Sequence, residues 1–91
     1  MMIYLYIRYA VINDARWKEE FDIHLAARQA GGATEVVCVT RDVDNPQEII
    51  VVLGWRDLAT VRAFANSVSL QMALQKMEVV GKVEVRVLEE V

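Results

Sequence analysis

The strands of this chain are apolar on both of their alternating faces, and that restricts what it can fold into. Residues 2–11 (MIYLYIRYAV) are β-branched and aromatic and read as a first strand. Ile3, Leu5 and Ile7 occupy one parity, Tyr4 and Tyr6 the other. Residues 33–42 (ATEVVCVTRD) read as a second strand, with Val37 and Val39 on one side and Val36 and Cys38 on the other. Residues 48–55 (EIIVVLGW) repeat the pattern, with Ile49, Val51 and Leu53 against Ile50 and Val52. Only residues 82–88 (KVEVRVL) alternate cleanly, with Val83, Val85 and Val87 against Glu84 and Arg86. A sheet with helices on one face and water on the other should alternate everywhere. Here both faces seek cover. Two helical segments can supply one cover, and the economical source of the second is the same face of another copy. The pattern predicts a face-to-face homodimer.

The helices are marked by their ends. Asn13 can cap, Asp14 suits the positive end of a helix, and Ile12 can staple onto Trp17. The first helix is predicted to run to about Ala30 and to stop at Gly31-Gly32. The stretch from Asp42 to Gln47 is dense in turn residues and holds the only proline, so strands two and three should form an antiparallel pair. Asp57 caps a second helix over about Leu58 to Val68, interrupted around Asn66-Ser67 and Ser69. A short helix follows, with Leu70, Ala73, Leu74 and Met77 at helical spacing, and Gly81 ends it. The order is β-α-β-β-α-β, an α+β, ferredoxin-like arrangement with an antiparallel sheet and helices on one face, in a single domain over residues 1–91.

Composition removes several functions. The net charge is −3, so nothing provides a basic field for nucleic acid. One cysteine excludes a disulfide scaffold. Hydrophobic residues reach 55%, too apolar for disorder and more than a small monomer hides comfortably. The N-terminal strand carries Arg8 and falls short of the roughly 20 apolar residues a membrane span needs. A soluble, cytoplasmic protein is the expectation. There is no GxGxxG or P-loop string, and one His with one Cys makes a metal site unexpected. No flavin, nicotinamide or other cofactor is expected.

Three stretches carry a family likeness: MIYLYIRYAV, the turn RDVDNPQEIIVVLGW, and RDLATVRAFANSVSLQMALQKMEVVGKVEVRVLEE. With a two-sided sheet in this element order, the chain resembles the dimeric α+β barrel superfamily. Within it, the chain resembles the antibiotic biosynthesis monooxygenase-like proteins. The resemblance implies a dimer whose two sheets pack into a barrel, with a pocket in each subunit between the helices and its own sheet. Some such proteins oxidise polycyclic aromatic substrates with oxygen and neither metal nor flavin. Others degrade haem, and some are cyclases or isomerases of polyketide-like metabolites. The haem-degrading members carry their ligating histidine in the second helical segment. The only histidine here, His24, lies in the first, so haem is not expected.

The first helix holds the main candidates. Trp17, Phe21 and Leu25 define its apolar stripe, and His24 and Arg28 fall inside it, three and seven residues past Phe21. Polar groups on a core-facing stripe need partners. On one reading they face a pocket, with Trp17 and Phe21 as an aromatic wall and Arg28 orienting an anionic or phenolate-like substrate. His24, kept neutral by Arg28, would be the catalytic proton acceptor. On the other, Arg28 reaches carbonyls at the helix end and His24 is a satisfied core residue. Tyr6 could donate to a substrate oxygen, though ordinary strand packing explains it better; Trp55, at the end of strand three, could stack on a planar ligand, and packing explains it as well. Met72 and Met77 read as core, and Cys38, mid-strand, as buried and inert. The expected function is a cofactor-independent monooxygenase acting on an aromatic or polyketide-like small molecule. The alternatives are a non-catalytic dimeric binding or stress-related protein, and a polyketide-type cyclase or isomerase.

Overall fold

Short polar side chains set where three of the four helices begin. In the computed structural model, which describes residues 1–91, Asn13 is extended and its side chain accepts from the Arg16 amide at 2.9 Å, starting α1 (Asp14–Ile23). Asp57 does the same for α3 (Leu58–Ala65), and Ser67 for α4 (Val68–Lys76). The expected staple is not made: Ile12 is 62% exposed while Trp17 is buried. Nor does the first helix run unbroken to Ala30. It stops at His24, and a second piece, α2 (Leu25–Ala30), follows. The strands are β1 (Ile3–Val11), β2 (Ala33–Arg41), β3 (Glu48–Trp55) and β4 (Val79–Glu89). In the β2–β3 turn the Asp42 carboxylate accepts from the Asp44 and Asn45 amides.

The sheet is antiparallel throughout, in the order β2-β3-β1-β4. This is the expected ferredoxin-like α+β arrangement, with each helical segment in two pieces. Leu5 of β1 stands beside Leu53 of β3 and Val87 of β4, and Leu53 beside Val37 of β2. The last strand begins earlier than its alternation suggests. Helix α4 gives way at Met77 and Glu78, and Gly81 (φ 74°) lies inside β4, where the register against β1 shifts between Arg8 and Ala10. Gly32 (φ 117°) is required on two counts. Its backbone is left-handed, and a Cβ there would stand 2.8 Å from the Trp55 indole nitrogen.

The helices cover one face. Odd-numbered residues of β1 and β3 bury against Trp17, Phe21, Val61, Phe64, Leu70 and Met77. The other face carries Tyr4, Tyr6, Ile50 and Val52, half-buried, together with exposed Cys38. Cys38 is therefore not the buried thiol expected, because the outer strand β2 is exposed on both of its faces. Arg8 crosses this face, its guanidinium 3.4 Å from Glu48 and 3.5 Å from Glu84. No helix is long and apolar enough to cross a membrane.

Candidate functional site

Between the helices and β1/β3 lies a small cavity lined by eleven residues, nine of them hydrophobic. The two exceptions are His24 and Arg28. The stripe reading of the first helix thus brings Phe21, His24 and Arg28 to one space, even though the helix breaks at His24. The break exposes Leu25 and takes it out of the stripe.

Arg28 is 4% exposed. Its guanidinium lies over the Phe21 ring, 3.9 Å from the centroid, and Nη1 donates to the Phe21 carbonyl at 2.7 Å. That carbonyl belongs to the last turn of α1, which has no basic residue of its own, so Arg28 supplies the cation that the helix end favours. No carboxylate pairs with Arg28, and burial pulls its pKa down. Both readings of Arg28 are therefore partly realised. It caps a helix, and it presents a cation, without an ion-pair partner but within the field of Asp22, to a largely apolar cavity.

His24 closes the outer side. Its Nε2 is 3.0 Å from the Ser69 hydroxyl, and its ring tilts against Phe64 at 5.7 Å between centroids. Burial lowers its pKa, followed by the charges of Arg28 and Lys76. Each of these effects favours the neutral imidazole, which suits a proton acceptor. Beyond it an outer cleft of about 180 Å³ opens between α1 and α4, and His24 is the one residue that lines both spaces.

Two residues the sequence reading did not single out complete the site. Tyr9 lines the cavity, is 4% exposed, and accepts from Trp17 Nε1 at 2.7 Å. Burial raises its pKa, against the pull of Trp17 and Arg28. Its odd position on β1 was the available signal: a tyrosine on the core parity must find polar partners. Ser69 read as a helix interruption, and nothing in its spacing marked it as the partner of His24.

The other candidates lie elsewhere. Trp17 stacks on Phe21 at 5.1 Å and stands behind the cavity wall. Trp55 is buried against Phe64, and its indole donates to the Gly31 carbonyl at 3.1 Å, tying the end of β3 to the turn before β2. Tyr6 is on the opposite face of the sheet from the helices, because it has the even parity of β1. It does not line this cavity. The enclosed space is also small. It leaves about 20 Å³ for the centre of a water-sized guest, room for one such guest and not for an aromatic ring.

By sequence the chain matches no protein-family model and no curated protein. By structure it is similar to a provisionally named antibiotic biosynthesis monooxygenase from Bordetella bronchiseptica, with a TM-score of 0.80 over 99% of this chain and 97% of that one at 17% identity. A protein from Caulobacter crescentus with the same provisional name gives 0.75 over 99% and 90% at 18% identity. SnoaB, a cofactor-independent oxygenase from Streptomyces nogalater, gives 0.75 over 99% and 93% at 13% identity. The chain has the fold of these proteins. The resemblance read from the three sequence stretches is present in the backbone, along nearly the whole length of each partner.

Proposed function

We propose that this protein is a homodimeric oxygenase that takes an ionisable aromatic or polyketide-like small molecule between its helices and sheet and oxidises it with dioxygen, without a bound cofactor. The observation that carries this reading is the meeting of a neutral imidazole and an unpaired buried guanidinium in an otherwise apolar cavity. Arg28 would hold an acidic oxygen, and His24 would take its proton. With a phenol the balanced reaction is one phenol and one dioxygen to one quinone and one water. Removing the hydroxyl proton raises electron density on the ring carbon that meets oxygen, and that is the step a positioned base accelerates. The likeness to SnoaB, named as a cofactor-independent oxygenase, supports the reaction class.

The closed volume bears on access. An aromatic ring needs His24 and Ser69 to part, joining the cavity to the cleft beyond. The same small volume favours a second reading, a non-catalytic dimer whose cavity is filled by its own side chains.

The helix-free face supports the dimer. Val36, Val52, Ile50, Tyr4, Tyr6 and Leu88 form an apolar surface on this side, with Arg8 and its two glutamates set into it. The test is dioxygen uptake with a panel of polycyclic phenols, followed by His24→Ala. Uptake with quinone formation, lost in the variant while binding persists, supports the oxygenase. Binding without uptake across the panel selects the second reading. Full activity in His24→Ala removes His24 as the base.

A further inference from the structure

Two buried donors face the cavity with no good acceptor. The Tyr9 oxygen is occupied as an acceptor by Trp17 Nε1 at 2.7 Å. That contact aims the Tyr9 O–H away from Trp17, and its partner in the closed state is the Met77 thioether at 3.8 Å, a weak acceptor. Arg28 has five N–H donors, of which Nη1 donates to the Phe21 carbonyl; the others are not fully buried and have no protein acceptor. Both side chains line the same space, and each shifts the titration of the other, so they are electrostatic neighbours. The cavity wall brings no carboxylate to them.

We propose that Tyr9 and Arg28 form a two-point seat for one ionised oxygen, that of a phenol or enol, at the inner end of the cavity. This makes Tyr9 a substrate-touching residue of the site, and it rests on the small-molecule reading above. The size agrees. The closed space accepts one water-sized guest, which is the bulk of a single oxygen. The apolar body of the ligand then extends toward Phe64 and the position His24 now fills, between Ile7, Leu53 and Leu70. A cation and a neutral donor stabilise the anion more than its conjugate acid, so the seat would bind the ionised ligand and hold the charge that proton removal creates. Trp17 acts through Tyr9 and is a positioning residue, which accounts for a buried indole that touches no cavity.

The test uses 2-naphthol, whose absorption and emission report ionisation of its hydroxyl, with 2-naphthoate as the carboxylate of the same ring. On the wild-type protein the bound hydroxyl should titrate at least about two pH units below the free one, roughly a hundredfold preference for the ionised form. Tyr9→Phe should reduce that preference by roughly tenfold, as expected for a hydrogen bond to a charged group. Arg28→Met should abolish it. Trp17→Phe keeps the hydroxyl and should retain most of the shift. Because Tyr9→Phe strands the Trp17 N–H, the pair Tyr9→Phe with Trp17→Phe removes both partners and should fold, still without the Tyr9 contribution to the shift. An unshifted hydroxyl on bound 2-naphthol overturns the seat and leaves the pocket standing. A Tyr9→Phe variant with the wild-type shift does the same. Equal losses for 2-naphthol and 2-naphthoate in Tyr9→Phe overturn the commitment to a single phenolic oxygen. No binding of 2-naphthol at all overturns both the seat and the small-molecule pocket.

Discussion

On the helix side of the sheet, Leu5, Val51 and Trp55 are almost wholly buried, and each sits among the apolar side chains of the core cluster. On the other side Ile50 and Val52 are only half-buried, though they are as apolar as their counterparts, while the outer strand β2 is exposed on both parities, at Val37 and Val39 as well as at Val36 and Cys38. At the centre of the sheet the two faces differ in cover more than in composition, although the second face also carries Arg8, Glu48, Glu84 and Arg86. Helices α1 to α4 supply the first cover from within the chain. Nothing within the chain supplies the second, and an uncovered apolar sheet of this kind favours association. The cavity between the helices and the sheet lies on the helix-covered side. His24, Arg28 and Tyr9 face that space.

The sharpest way to break the comparison is to charge the uncovered face. Val52→Lys places an ammonium at its centre, where a face-to-face dimer would have to bury it against its own symmetry mate. Such burial costs several kcal/mol per ion. Light scattering should fall from about twice the 10.4 kDa chain mass to that mass alone, with the fold intact by circular dichroism. Cys38, on the same face, should be slow to react with a thiol reagent in the wild type and fast in the variant. A wild-type chain that stays monomeric at micromolar concentration, or a Val52→Lys dimer, would mean that the second face does not pair.

The matching change on the covered face acts within one subunit. Leu5 is 0% exposed and packs in the centre of the core. Leu5→Ala should cost about 2–5 kcal/mol of stability, read from the midpoint of denaturant unfolding. A loss under about 1 kcal/mol would mean that the helices cover this face less tightly than the structure describes.

Much of this arrangement was legible before any coordinates. Parity on β1 and β3 separated the two faces, and Asn13, Asp57 and the 42–47 turn located the boundaries, since each acts through local hydrogen bonds. The break at His24 was not legible. No Gly or Pro marks it, and the apolar spacing continues through it; the Ser69 contact and the Arg28 cap on Phe21 are tertiary. Phe21, His24 and Arg28 still line one cavity, because the i→i−4 bonds from His24 to Glu20 and from Arg28 to His24 carry the helical spacing through the break. Trp17 and Trp55 both stand outside the cavity lining for one reason. A buried indole needs an acceptor for its N–H, and Tyr9 and the Gly31 carbonyl provide it inside the wall. Tyr6 was chosen over Tyr9 although the parity rule places Tyr9, not Tyr6, beneath the helices.

The smallest expected effect concerns pH and the closure of the cavity. The His24 pKa is lowered in the folded protein, first by burial and then by Arg28 and Lys76, while in the unfolded chain it returns to about 6.5. Between those two values the unfolded chain binds more protons than the folded one, so stability rises with pH across that window. The contribution is complete above about pH 7 and is lost as pH falls below about 6.5 toward the folded value. Asp57, whose carboxylate is held below its usual range by hydrogen bonds from Thr60, titrates under this window and adds no slope to it. His24→Gln cannot titrate and can still reach the Ser69 hydroxyl. Unfolding midpoints followed from pH 7.5 to pH 5 should therefore fall more steeply for the wild type than for His24→Gln. Equal slopes would mean that the imidazole stands in solvent with an ordinary pKa and does not close the cavity. The neutral base proposed for the reaction would then lose its physical cause.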